Sequence, residues 1–291
     1  SDLQRRFDLP GVTFGQGPGG LLRIDIKTPA ATAQLYPHGA HLALWAPVSH
    51  KPVLFMSSQS MYDPAKPLRG GVPVVPWFGP RQNDPSAPLH GLVRTMQWNI
   101  DSIAPAGDGV QIVFSTASNE QTRAIWPHDW SARFLVTIGA TLEMALEIRN
   151  TGSAPFTFEE ALHTYFSVAD VRQIAIEGLA DTDYIDKTDG MKRKRQDAAP
   201  IRITAETDRV YLNTTAATSI SDPGNSRRII VEKQNSSATV VWNPWVAKAR
   251  AMPDFGDEEW PAMVCVETVN ALENAVTLQA GQTHRMATRV R

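Results

Sequence analysis

Short runs of alternating apolar and polar residues recur along this chain, and they limit its possible folds more than any other feature. Leu22-Arg23-Ile24-Asp25-Ile26-Lys27 places apolar side chains on one face and polar ones on the other, as a half-buried strand does. Similar runs occupy residues 110–116, 134–138, 142–150, 229–233 and 286–290. Between the runs lie turn formers such as Asn150-Thr151-Gly152, Thr188-Asp189-Gly190 and Asp222-Pro223-Gly224-Asn225. No long amphipathic helix pattern competes with them. Many short strands separated by turns predict an all-β sandwich or barrel. With 291 residues, 42% of them hydrophobic, the chain can bury a large core. No repeat, linker or composition break divides it, so residues 1–291 are expected to form a single domain.

Composition narrows the function classes. A net charge of −2 gives no sign of a polyanion-binding surface, so no nucleic-acid partner is expected. Any phosphate site must be made by a few local cations. The single Cys265 cannot form an internal disulfide, and no Cys/His spacing resembles a zinc site. No metal or other cofactor is expected. No leader-like start and no membrane-length apolar stretch is present, which makes the cytoplasm the expected location.

Three segments stand apart from the strand pattern. Gly15-Gln16-Gly17-Pro18-Gly19-Gly20 formally fits a dinucleotide fingerprint, but it precedes strand-like residues instead of a helix and contains Pro18; it reads as a turn. The Pro-, Gly- and Trp-rich stretch 68–94 reads as a long ordered loop, a kind of segment that often carries function. The basic run 191–195 reads as a solvated loop.

Chemistry-bearing residues cluster in a few contexts. His90 sits in Leu89-His90-Gly91, and His163 lies among aromatic and apolar residues in Leu162-His163-Thr164-Tyr165-Phe166. Each could exchange protons near neutrality, or could be a hydrogen-bonded core histidine. Glu267 follows the apolar run Met263-Val264-Cys265-Val266. Desolvation there would raise its pKa toward a general-base range, unless the side chain reaches water at a strand end. Arg69 and Arg94 bracket the long loop and could fork onto phosphate oxygens, or could be surface arginines. Asp208 could accept hydrogen bonds from sugar hydroxyls or be a plain turn acid. Trp77 and Trp242 could pack on a sugar's C–H face, although tryptophans are more often core.

Taken in order, several segments resemble the aldose 1-epimerase-like superfamily, in particular its glucose-6-phosphate 1-epimerase branch. They are Arg69-Gly70-Gly71-Val72-Pro73-Val74, Pro76-Trp77-Phe78-Gly79-Pro80, His90-Gly91-Leu92-Val93-Arg94 and Trp126-Pro127-His128-Asp129. Then follow Ala161-Leu162-His163-Thr164-Tyr165-Phe166, Asp186-Lys187, Thr207-Asp208-Arg209-Val210-Tyr211, Trp242-Asn243-Pro244 and Val264-Cys265-Val266-Glu267-Thr268. The resemblance spans nearly the whole chain. It implies a galactose mutarotase-like supersandwich of antiparallel sheets, and an isomerase that exchanges the α and β anomers of a hexose 6-phosphate. On that resemblance His163, as imidazolium, is the general acid and Glu267, as carboxylate, the general base. Arg69, Arg94, Asp208 and His90 line the substrate pocket, no cofactor is used, and the protein is a monomer. The yeast-type branch carries a glutamine before the His-Gly pair where this chain has Leu89, which puts detailed hydroxyl recognition in doubt. The competing readings are an epimerase for unphosphorylated aldoses, a noncatalytic carbohydrate-binding sandwich and a purely structural sandwich.

Overall fold

A computed structural model describes residues 2–76 and 88–291. Two eight-stranded sheets dominate, and every strand pairing in them is antiparallel. One sheet runs Ala175–Glu177, Thr218–Asp222, Arg227–Gln234, Thr283–Val290, Leu142–Asn150, Trp130–Ile138, Gly109–Ala117 and Asn99–Ala106. The expected runs fall in this sheet, apart from Leu22–Lys27, which lies in a separate four-stranded sheet with Val12–Gln16, Ala31–Tyr36 and His41–Pro47. Alternation is clearest in Trp130–Ile138, where every second side chain is buried.

The second sheet carries the site. Its path is Lys192–Arg195, Asp183–Asp186, Thr207–Tyr211, Ala238–Asn243, Met263–Asn270, Glu160–Leu162 and Val74–Pro76, with Tyr165–Ser167 also pairing Met263–Asn270. Ala238–Asn243 and Met263–Asn270 are buried at every residue, so both of their faces are covered. Such strands lose the alternation and read as continuous apolar runs. One continuous hydrophobic core takes side chains from both large sheets, including Phe134, Leu146 and Met286 from one and Val240, Val264 and Val266 from the other.

Two expectations require correction. The basic run is an edge strand, Lys192–Arg195, paired with Asp183–Asp186. Its sequence hides this because the strand is largely exposed and its partners are charges. Lys194 Nζ meets Asp186 at 2.7 Å and Asp189 at 2.8 Å, and Arg195 meets Asp183 at 3.1 Å. Charged edge strands also deter pairing with other chains. The segment 68–94 is not wholly a loop, because Val74–Pro76 pairs with Glu160–Leu162. The glycine-rich stretch near the amino end is a turn as expected, linking Val12–Gln16 to Leu22–Lys27. The longest helix among the described residues is Trp245–Ala251, and none of them is long and apolar enough to cross a membrane.

Candidate active site

Strand register assembles the site. Asp208 lies opposite Trp242, Trp242 opposite Cys265, and Cys265 opposite Tyr165, forming one row across four strands. Directly opposed residues share a face, and so does the residue two positions along a strand. Glu267 therefore stands on the same face as Cys265, one row away. The chain leaves the ladder between Glu160–Leu162 and Tyr165–Ser167, and His163 occupies that break, its backbone N–H donating to Pro73 O at 3.0 Å. The His163 ring stacks on Tyr165, with centroids 4.9 Å apart, and meets Trp242 edge-on at 6.0 Å.

Here His163 and Glu267 come together. Nδ1 of His163 lies 3.4 Å from Oε1 of Glu267, and both side chains are buried. Neither Nδ1 nor the second carboxylate oxygen, Oε2, makes a hydrogen bond to described protein atoms. Unpaired buried polar atoms are costly, so their presence marks a place prepared for something polar. Burial, reinforced by Arg94 and Arg69, pulls His163 down to about 3. Burial, reinforced by Asp208 and opposed by Lys187, pushes Glu267 well above the usual carboxylate range. Both directions run against the imidazolium and carboxylate expected from the sequence. Among these protein groups the pair favours a neutral imidazole beside a protonated carboxyl group, because desolvation penalises charge on both.

Charged groups flank the pair on two sides. Arg69 donates from Nε to Asp254 at 3.1 Å and from Nη1 to the Tyr165 hydroxyl at 3.1 Å. Its position depends on Gly70 and Gly71, both at positive φ, where a Cβ would run into the carbonyls of Phe55 and Leu42. Arg94 donates from Nη2 to Leu89 O at 2.6 Å, while its buried Nε has no partner among the described residues. Burial and the neighbouring Arg69 lower Arg94 to about 10. His90 packs edge-on against His163 at 5.6 Å; burial and the charges around it hold it well below 6.5. Lys187 approaches Asp208 at 3.0 Å.

Of the residues singled out from the sequence, His163, Glu267, Asp208, Trp242, His90, Arg69 and Arg94 fall in or beside this cluster. Asp208 is not a turn acid but sits within Thr207–Tyr211. Trp77 lies outside the described residues. The Leu89 side chain is exposed, and it is its carbonyl that holds Arg94. Sequence reasoning gave no role to Asp254, Tyr165 or Lys187. Tyr165 and Lys187 stand inside quoted segments, but only tertiary contact reveals what they touch. Cys265 likewise has no role in the site on sequence grounds. Its sulfur, with His163 and Glu267, forms a group of potential metal-ligand atoms within 4.8 Å of one another. Burial and Glu267 push its thiol well up, so it remains a protonated, apolar floor to the site instead of a ready thiolate.

On this β-sandwich a buried histidine–glutamate pair thus lies beside arginines and an acid. The chain belongs to the aldose 1-epimerase family, whose profile matches residues 23–291. An Escherichia coli protein named "Putative glucose-6-phosphate 1-epimerase" is 35% identical over 251 residues, covering 86% of this chain and 83% of its own. A plant relative of the same name, from Cenchrus ciliaris, is 34% identical over 92% of this chain and 84% of its own. Among solved structures, a "putative mutarotase" from Salmonella typhimurium superposes with a TM-score of 0.90 at 32% identity, covering 97% of this chain and 93% of that one. Galactose 1-epimerase from Lactobacillus acidophilus shares the fold, with a TM-score of 0.75 at 14% identity, covering 96% and 98% of the two chains. The fold is thus the galactose mutarotase-like supersandwich of antiparallel sheets.

Proposed function

We propose that this chain interconverts the α and β anomers of a hexose 6-phosphate, with glucose 6-phosphate as the substrate. The observation that carries the reading is the buried pair His163 and Glu267, 3.4 Å apart with unpartnered atoms, beside Arg69, which is paired with Asp254, and Arg94, which has no carboxylate partner among the described residues. The names of the relatives at 34–35% identity point the same way.

Glu267 takes the proton from the anomeric O1 hydroxyl while His163 gives one to the ring oxygen, and the C1–O5 bond breaks. The open-chain aldehyde turns about C1–C2 and recloses on its other face, with both proton movements reversed. Two positioned proton donors and acceptors suffice for this chemistry, each typically worth about 10²–10⁴ in rate. Arg69 and Arg94 supply the forked donors and positive charge that a phosphoryl group matches. His163, but not Glu267, has these arginines among the groups that perturb it, whereas Glu267 responds to Asp208 and Lys187. That polarity suits a sugar whose ring oxygen and phosphate-bearing C6 lie toward His163 and the arginines, with C2 toward Asp208. Trp242 offers an apolar wall, and Trp77 is assigned the same role. His90 lines the pocket as a neutral imidazole. We further take the chain to be one domain, supported by its continuous core, and a cytoplasmic monomer that needs no cofactor.

The test is exchange NMR on the anomeric protons of glucose 6-phosphate. Wild-type protein should accelerate exchange, and His163→Ala and Glu267→Ala should each abolish the acceleration while keeping a native circular-dichroism spectrum. Full activity in either variant removes that residue from the mechanism. Faster exchange of glucose or galactose than of the phosphate ester would favour an epimerase for neutral aldoses. Sugar binding without exchange would leave a noncatalytic sandwich.

A further inference from the structure

Among the described residues the charge balance around His163 is incomplete. Of the two guanidinium groups there, Arg69 engages Asp254 through Nε and Nη2 at 3.1 and 3.0 Å. Among the described residues no carboxylate lies within ion-pairing distance of Arg94, whose buried Nε is also unpartnered. This positive charge reaches the catalytic histidine by a short path. Arg69 Nη1 donates to the Tyr165 hydroxyl, and the Tyr165 ring lies stacked on His163, tilted by only 13°. Among the described residues the other titratable groups around His163 are the edge of His90, the Lys187–Asp208 pair, Cys265 and Glu267. Of these only Glu267 is close enough to exchange a proton with it directly, across 3.4 Å.

The mechanism needs imidazolium and carboxylate, and the unliganded site favours the opposite placement of that one proton. Arg94 and Arg69 are, after burial itself, the main reasons the imidazole resists protonation, and neither is among the groups perturbing Glu267. A dianion seated on both arginines would thus bear more strongly on His163 than on Glu267.

We propose that the substrate's phosphoryl group is a switch as well as a handle: a dianion on Arg69 and Arg94 cancels the positive field at His163 and draws the shared proton from Glu267 onto the imidazole, arming both groups. The step is a proton shift from the Glu267 carboxyl oxygen to Nδ1 of His163, with no change in electron count and no co-reactant. It rests on the anomerase reading above, and it gives the enzyme a way to favour phosphorylated sugars in turnover as well as in binding. Binding energy from a part of the substrate remote from the reacting bonds is then spent on the chemical step. A neutral sugar brings no such anion and leaves the acid uncharged.

The consequence is that the dianion need not be attached to the sugar. D-xylose is glucose without its C6 carbon, so xylose plus phosphite dianion presents the substrate in two pieces. Saturating phosphite should raise kcat/KM for xylose anomer exchange by roughly tenfold or more, since each pH unit gained in proton affinity is a tenfold gain in imidazolium. It should do so through kcat, and should compete with glucose 6-phosphate. Arg94→Met should lose the activation, and Arg94→Lys should keep part of it. Independently of turnover, phosphite should move the side-chain ¹⁵N resonances of His163 toward imidazolium. Phosphite that competes with glucose 6-phosphate but leaves xylose exchange and the His163 resonances unchanged would reduce the phosphate to a handle. Phosphite that does not compete at all would also overturn the proposal. Failure of glucose 6-phosphate itself to exchange would instead sink the anomerase reading, so the two failures are distinguishable.

Discussion

Lys233 offers a quantitative test of how the two large sheets are joined behind the site. It lies in Arg227–Gln234 of one sheet, and its Nζ donates to Ala238 O and Thr239 Oγ1 in the other, each at 2.8 Å. Both acceptors are neutral, and burial pulls the amine from 10.5 down to about 7. At ~1.4 kcal/mol per pH unit, the ceiling on the cost of holding the ammonium there is about 5 kcal/mol. Hydrogen bonds from a charged donor are worth about 1.5 kcal/mol or more each and pull the other way, leaving a net cost of about 2 kcal/mol. Between about 7 and 10.5 the unfolded chain binds more protons at this lysine than the folded one, so stability rises with pH across that window. The cost is fully present below about 7 and absent above 10.5. Lys233→Met removes the titration, and Ala238 O keeps the Ser236 hydroxyl as a donor at 3.0 Å. Urea unfolding followed by tryptophan fluorescence should therefore find the variant more stable than wild type at pH 6 by about 1–3 kcal/mol. The advantage should disappear by pH 10. Parallel stability curves from pH 6 to 10 would show that the ammonium is solvated and the reasoning wrong.

Removing Lys187 strips Glu267 of a neighbour that favours its ionised form, so in Lys187→Met the acid limb of the kcat/KM profile should move to higher pH, with about tenfold less activity on that limb per pH unit moved. An unmoved limb would separate Lys187 from the base. Tyr165→Phe deletes the acceptor 3.1 Å from Arg69 and should raise KM for glucose 6-phosphate by about tenfold, at ~1.5 kcal/mol for a hydrogen bond to a charged group, with little change for glucose. Gly71→Ala places a Cβ against the Leu42 carbonyl at φ +58, and should cost about 1–3 kcal/mol in chemical denaturation while lowering affinity for the phosphate ester.

What could be read from the sequence follows a physical boundary. Strands with one wet face declare themselves: Leu22–Lys27 and Leu142–Asn150 begin and end where alternation does. Trp130–Ile138 starts four residues before its readable part, because Ser131 and Ala132 blur the contrast at that end. Lys192–Arg195 is invisible to the same test, since a largely exposed edge strand held by ion pairs has no apolar face to show. The site follows a similar rule. Glu267 could be suspected locally because a carboxylate in an apolar run must be buried or must end the strand. That it meets a histidine 104 residues earlier depends on how Glu160–Leu162 and Met263–Asn270 are paired, which only the family resemblance anticipated. The Arg69–Asp254 contact joins residues 185 positions apart, and no local pattern announces the aspartate.

The same burial that makes the pair legible also sets its chemical problem. A site dry enough to hold a sugar against both proton-transfer groups is too dry to keep them charged, and the row Asp208, Trp242, Cys265 and Tyr165 supplies little polarity near Glu267 beyond the Asp208–Lys187 pair. The charge must be rearranged by what enters. O1 and the ring oxygen can meet the unpartnered atoms of Glu267 and His163, and an anion can meet Arg94 Nε. Hydrogen bonds to those atoms lower the cost of separating charge within the pair without admitting water. A ligand that offers only some of these contacts should therefore bind without turning over. Measured on one set of variants, affinity and exchange rate should part company most sharply at the arginines and least at Trp242, whose buried ring supplies contact area and no charge.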